Sequence, residues 1–417
     1  MKRNYYLVVL IFLVFFVISF LTNILGSINP NVSDSFHLSG AMTGLLPFSF
    51  FIAYALMSIP AGMMVQRYRE KISMVTAWSI ATFGALLFAF VPRFPVFLVS
   101  LFLIGSGMAI LQVAINPLLR VSGGEKHFAF FSVFAQLVFG GASYLSPAVY
   151  SYLVTNLKGG TGNGGFMLST LSKITPANIS WVSLYWIFAL ISLVMAIIIA
   201  VSKFPAVKRK EDEIVGAWET HVELFKSRTI WLFFFGIFAY VGTEQGIANW
   251  ISEFLRTYHG LAPEIEGAHA VGWFWGMLTL GCVLGLFLLK ILDSKIVLRI
   301  FSIAALVVLI FTLFGSTKMA VYGFPALGFC LSVMWSIVFS LALNSIPKYH
   351  GTFAGILCTG IAGGAIVPLI IGQLKDLIGL RVGMLVIVIT LSYILSISFW
   401  AKPLVKNETI KMKKENA

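Results

Sequence analysis

Lys203–Arg228, KFPAVKRKEDEIVGAWETHVELFKSR, interrupts an otherwise apolar chain and divides it almost evenly. Before it, hydrophobic runs bounded by charges, prolines or glycine clusters fall at about 5–28, 40–66, 72–92, 95–120, 127–155 and 179–202. After it come six more, at about 229–256, 267–292, 296–315, 319–346, 351–375 and 380–402. A helix crossing hydrocarbon needs roughly 20 apolar residues, and each run supplies them. Of the 417 residues 59% are hydrophobic and 11% charged, whereas a soluble domain carries about 25% charged residues. A water-exposed surface cannot be built from this composition. The expectation is an all-α integral membrane protein with twelve transmembrane helices in two pseudo-symmetric six-helix bundles. Residues 1–202 would form the first bundle, 203–228 a cytoplasmic linker, 229–403 the second bundle and 404–417 a cytoplasmic tail. The opening MKRN followed by an apolar run resembles a signal peptide, but the run is too long and no small-residue cleavage site follows it. It is expected to be the first span.

The net charge of +13 is explained by topology. With both termini and every even-numbered connection placed in the cytoplasm, 22 of the 29 Lys and Arg residues lie on that side, as the positive-inside rule requires. A multi-pass protein of a bacterial inner membrane, both termini cytoplasmic, is the expectation. The basic residues lack the aromatic interleaving of a nucleic-acid surface, so no nucleic-acid partner is expected. Cys282, Cys330 and Cys358 sit singly inside apolar runs and suit packing rather than a disulfide or a metal.

The halves share weak similarity at an offset of about 225 residues. GMMVQRYREKI (62–72) corresponds to GLFLLKILDSKI (285–296), Asn116–Pro117 to Asn344 with Pro347, and Gly140–Gly141 before Pro147 to Gly363–Gly364 before Pro368. Parallel repeats of this kind characterise transporters whose substrate site lies between the halves near mid-membrane.

Ionisable groups inside hydrocarbon cost about 2.5–3.5 kcal/mol on insertion scales and need a reason. Glu244 lies midway along FFFGIFAYVGTEQGIANWISEFL (233–255). A carboxylate there, with no adjacent base, can take up and release a proton, which coupling to a proton gradient requires. The alternative is a neutral or paired Glu bonding a neighbouring helix. Gln245 and Asn249 follow at i, i+4 spacing on one face, with Trp250 beside them. Gln112 and Asn116 repeat the spacing on the fourth span. Amides bond hydroxyls as donors and acceptors, and an indole packs on the C–H face of a sugar ring; the same amides can also join helices. Asn116, beside Pro117, suits a kink. Asn23, Gln136, Trp335 and Asn344 complete the candidate substrate contacts. No phosphate loop, catalytic carboxylate pair, nucleophile elbow or metal-ligand set is present in the sequence. A non-enzymatic protein without cofactor, driven by a gradient, is expected.

Four stretches resemble the fucose/glucose–galactose symporter branch of the major facilitator superfamily: GSGMAILQVAINPLLRVSG (105–123), YVGTEQGIANWISEFL (240–255), WSIVFSLALNSI with GTFAGILCTGIAGGAIVPLIIGQLKD (335–376), and IPAGMMVQRYREK (59–71). The resemblance implies a monomer with a cavity lined by the first, fourth, seventh and tenth helices. It also implies sugar import coupled to protons or, in some relatives, sodium. Glu244 falls where glucose/galactose members carry glutamate and fucose permeases glutamine. Gln112 matches the glucose/galactose members, where fucose permeases place a coupling glutamate. The first-helix Asn–Asp pair is missing, its acid aligning with Asn23 or Gly26. The fifth-helix Gln and Asn of fucose permeases fall on Phe134 and Leu137, with Gln136 nearby. Either Glu244 carries the proton, then, or the protein is an uncoupled facilitator. The leading expectation is an importer of a hexose, deoxyhexose or N-acetylhexosamine. An exporter or antiporter of amphipathic compounds on the same fold is the alternative, and a non-transporting sensor a distant third.

Overall fold

A computed structural model of the chain describes residues 5–123, 128–157, 165–204 and 218–404. Most of the expected linker, 205–217, and the tail from 405 onward lie outside the described residues. Among the described residues, twelve helices are long and apolar enough to cross a membrane. They are α1 (Tyr5–Phe36), α2 (Gly40–Val65), α3 (Arg67–Phe90), α4 (Phe94–Ile115), α5 (Phe134–Leu157) and α6 (Ala177–Val201) in the first half. The second half has α7 (Arg228–Ala248), α8 (Pro263–Ile291), α9 (Ser294–Phe314), α10 (Thr317–Leu343), α11 (Thr352–Ile378) and α12 (Leu380–Trp400). Short helices Gly165–Ile174 and Trp218–Phe225 lie in connections, and Ile251–His259 extends α7. The protein is therefore a multi-pass membrane protein. An even number of crossings puts Tyr5 and Leu404 at one end, with the Arg67–Lys71 turn, Lys295 and Lys402; this is the basic end, and the other is the far end.

Helix α1 runs eight residues beyond the Ile28 expected from hydropathy, through Pro30, before the left-handed His37 (φ 52°) stops it. Polar INPNVSDS reads as loop, yet it is held helical because Ile28, Asn29, Pro30 and Val32 are buried against other helices.

Two helices break at the same relative place. α1 is interrupted at Asn23–Ile24 and α7 at Asn249–Trp250, positions 226 residues apart. An asparagine stands at each, and at Asn249 the side chain competes for hydrogen bonds that would otherwise run along the helix. Asn249 Nδ2 donates to the Gln245 carbonyl at 2.9 Å. The duplication is less regular elsewhere: α10 breaks at Ser332–Val333 and α11 contains a 3-10 turn at Gly360–Ala362. Their counterparts in the first half run unbroken over Phe94–Gly123 and Phe128–Leu157.

Buried apolar side chains form two clusters, one drawn almost wholly from residues 7–199 and one from 224–401. Hydrocarbon offers helices no hydrophobic drive to associate, so close backbone approach and aromatic packing do that work. Ser100 Oγ donates to the Gly84 carbonyl at 2.6 Å, locking α3 to α4. Trp181 and Tyr185 of α6 pack on Phe88 and Phe97 with centroids 4.8–5.6 Å apart. On α9, Ile296, Ile300, Ile303, Val307 and Ile310 are all exposed. That spacing makes one continuous apolar stripe for lipid.

Candidate functional site

The halves meet most closely in their far thirds. Gly26 lies directly against the Ala248 carbonyl, and Gly40 against Gly372, so tightly that a Cβ at either glycine would overlap backbone of the other half. Gly44 faces the Leu369 backbone, and nearer mid-span Gly140 faces the Thr279 side chain. Tyr144 of α5 packs edge-on against Trp273 of α8, centroids 5.3 Å apart.

Polar contacts reinforce this seal. Asn29 Nδ2 donates across the interface to the Asn249 carbonyl at 2.9 Å. Asp376, at the end of α11, accepts from the backbone N–H of Gly40 and Ala41 at 2.6 and 2.7 Å, at the N-terminus of α2 where a carboxylate is favoured. Arg256 pairs with Asp34 of the other half. Glu253, almost fully buried, anchors both Arg256 and Lys375 at 2.7 Å. The Asp34 pair is largely exposed and is worth at most about 1 kcal/mol. Losing Glu253 would leave Lys375 unpaired and Arg256 with Asp34 alone; both cations are partly exposed, and the charged hydrogen bonds lost are worth about 1.5–3 kcal/mol. Glu253→Ala is therefore expected to lower the Tm in detergent more than Asp34→Ala.

The candidate residues separate into three places. Asn249 and Trp250 belong to the far-end seal, and Gln245, one residue past Glu244, packs beneath them against Gly364 of α11. Asn249 Nδ2 also reaches Gln245 Oε1 at 3.2 Å, and Trp250 Nε1 donates to the Pro368 carbonyl at 3.2 Å. Lys375 Nζ stands over the Trp250 ring.

A second group lies at mid-depth. Glu244 is half-buried and accepts from Tyr240 Oη, one turn away, at 2.8 Å. Among the described residues no cation pairs with it. Tyr240 packs on Trp335 of α10 at 5.9 Å, and Trp335 stacks on Phe339 at 5.7 Å. An acid, a phenol and an indole from α7 and α10 thus share one surface. Gln112 is half-buried on α4 and hydrogen-bonded or otherwise engaged.

The remaining candidates sit apart. Asn23 is buried and donates to Ser143 Oγ of α5 at 2.8 Å and to Ser19 Oγ at 3.4 Å. Gln136 is exposed on α5. Asn344 lies at the basic end of α10, its side chain reaching Ser340. The Asn116 side chain lies outside the described residues.

Two elements of this arrangement were absent from the sequence expectations. Tyr240 was signalled by its i−4 spacing to Glu244. The Asp34–Arg256 pair, 222 residues apart, left no local signal.

Comparison with known proteins fits this geometry. The profile of the Major Facilitator Superfamily matches residues 11–368. A glucose/galactose transporter of Brucella abortus is 31% identical over 392 residues, 92% of this chain and 90% of the relative. The L-fucose-proton symporter of Escherichia coli is 25% identical over 389 residues, 88% of this chain and 86% of that one. Among solved structures, the transporter FucP in its outward conformation superposes with a TM-score of 0.68 at 21% identity, covering 95% of this chain and 98% of that chain. A bacterial homologue of the lysosomal transporter Spinster reaches a TM-score of 0.75 at 16% identity, covering 96% and 98%. The chain belongs to the Major Facilitator Superfamily, in its fucose/glucose–galactose symporter branch.

Proposed function

We propose that this protein imports a neutral sugar by alternating access, with Glu244 as the proton-coupling group and the basic end facing the cytoplasm of a bacterial cell. The observation that carries this is the mid-depth constellation of Glu244, Tyr240 and Trp335. The half-buried carboxylate has a hydroxyl partner and no cation among the described residues, beside an aromatic plate. The relatives named for glucose/galactose and for L-fucose–proton transport support the substrate class and the coupling ion.

The far-end contacts close the extracellular side and make this the inward-facing arrangement. The cycle then requires the α1–α7, α2–α11 and α5–α8 contacts to part as rigid bodies. Sugar binds between α7, α10 and α4, with Trp335 packing on the ring face and Gln112 bonding hydroxyls. Glu244, protonated from outside, donates to or accepts from Tyr240 and releases its proton inward. Asn249 and Trp250, with Gln245 beneath them, act at the gate, and their effect on sugar affinity runs through the equilibrium between closed and open far ends. Asn23 joins α1 to α5.

The test is a ligand-stabilisation screen of the purified protein with hexoses, deoxyhexoses, N-acetylhexosamines, disaccharides and lipophilic cations. A ligand that binds the folded state raises Tm according to RT ln(1 + [L]/Kd). One sugar class is expected to do so. Stabilisation by lipophilic cations alone would favour export of amphipathic compounds. Trp335→Ala is expected to raise the KM of the sugar about three- to ten-fold, the worth of one stacked aromatic. Asn23→Leu is expected to lower stability by about 1 kcal/mol, an interhelical hydrogen bond in a membrane, and to leave KM unchanged. A KM shift in Asn23→Leu would return it to the substrate site.

A further inference from the structure

We propose that a cavity at the basic end of the second half binds the phosphate headgroup of an anionic membrane lipid. The cavity, about 510 Å³, lies between the basic ends of α8, α9, α10 and α12. Lys295 and Arg299 at the start of α9, and Lys402 just past α12, line it. One carboxylate, Asp293, shares the site, and it caps α9 by accepting from the Lys295 backbone N–H at 2.8 Å.

Among the described residues none of the three cations meets a carboxylate at ion-pair distance. Lys295 Nζ donates to the Ala401 carbonyl at 2.8 Å. Arg299 reaches Ser398 only at 3.4 Å and lies over the Phe399 ring. Ser336, Ser340 and Asn344, at i, i+4 and i+8 on α10, present hydroxyls and an amide to the same space. The Leu404 N–H bonds the Asn344 carbonyl at 2.7 Å and keeps the chain after α12 beside the cavity. Three cations with one committed carboxylate repel one another, and an anion between them removes that cost. Guanidinium and ammonium donors with flanking hydroxyls match a phosphodiester, which accepts from Arg in a fork and from Lys as a point charge.

The lipid face of α9 makes the source a lipid and not a soluble phosphate. Ile296 lines the cavity and is itself exposed. From it the stripe Ile300, Ile303 and Val307 runs away from the basic end, with Phe399 exposed beside Arg299. A headgroup seated in the cavity leaves its acyl chains on that stripe. Basic pockets between helices are known to hold anionic headgroups this way. α9 and α12, which carry the cations, pack mainly on helices of their own half, so the charged side of the cavity lies away from the contacts between the halves.

The experiment uses the full-length protein, delipidated in neutral detergent. Dioleoylphosphatidylglycerol, dioleoylphosphatidylcholine and inorganic phosphate are titrated separately while Tm is followed. Phosphatidylglycerol is expected to raise Tm saturably, and the other two to leave it unchanged. The half-saturating concentration should rise about five-fold in Arg299→Gln and about twenty-five-fold in Lys295→Gln/Arg299→Gln, the loss of one and two near-surface cations. Arg299→Lys, which keeps the charge and loses the fork, should fall between wild type and Arg299→Gln. If the Gln variants do not fold, Ser340→Asp, which puts a carboxylate in the cavity, should weaken the response likewise. Equal stabilisation by phosphatidylcholine, or an unchanged response in these variants, overturns the site. Equal stabilisation by inorganic phosphate overturns its assignment to lipid.

Discussion

Glu244→Gln is expected to abolish sugar accumulation driven by a proton gradient while leaving equilibrium exchange of sugar intact. Glutamine preserves the volume and the ability to bond Tyr240 Oη, which now sits 2.8 Å from the carboxylate. It cannot exchange a proton. Because no cation pairs with Glu244 among the described residues, the substitution strands no buried partner charge, and the protein should fold normally. In proteoliposomes with an inward proton gradient, the variant should bring internal sugar only to the external concentration. Counterflow, loading one sugar inside and following labelled sugar inward, should proceed near the wild-type rate. Retained accumulation would remove Glu244 from coupling; loss of counterflow as well would make it a substrate or packing residue.

The second large effect concerns the far-end seal. A side chain at Gly26 would overlap the Ala248 carbonyl, and a packed interface answers such overlap by separating, at about 1–3 kcal/mol. Gly26→Val is expected to shift the population toward the far-open state by about ten- to hundred-fold and to slow uptake correspondingly. The overlap lies between the halves, whose apolar clusters are separate, so stability should hold. Ser27→Cys, fully buried in the sealed arrangement, reports the change. An impermeant maleimide added from outside should label it much faster in the Gly26→Val background. Unchanged labelling with unchanged uptake would mean that this contact does not gate the pathway.

Most of the fold was legible because hydrocarbon leaves so few options: every backbone group must be satisfied within its own helix, so span count follows from apolar runs. The weak repeat was legible for a related reason. GMMVQRYREKI and GLFLLKILDSKI fall at equivalent turns of the two halves, and the structure adds the breaks at Asn23 and Asn249 at the same relative place. What lay out of reach depends on how the halves dock. The polar INPNVSDS segment becomes helix only because the second half covers it, and Asp34 and Arg256 become a pair only when the far ends close. Glu244 was conspicuous in the sequence as a lone acid in mid-span, and it is the residue on which the proposed coupling rests. Amides carry no such label. The Asn23 amide turns toward Ser143, that of Asn249 back toward Gln245 and that of Asn344 toward Ser340 at the basic end, and no spacing rule separates a gate amide from a sugar-binding one.

Direct measurement of sugar-coupled proton flux tests the central claim. De-energised proteoliposomes in weakly buffered medium receive the sugar identified by the stabilisation screen, with external pH recorded. The medium should become alkaline as sugar enters, and Glu244→Gln should give no change. Sugar entry by the wild type without any pH change would contradict proton symport and leave an uncoupled facilitator.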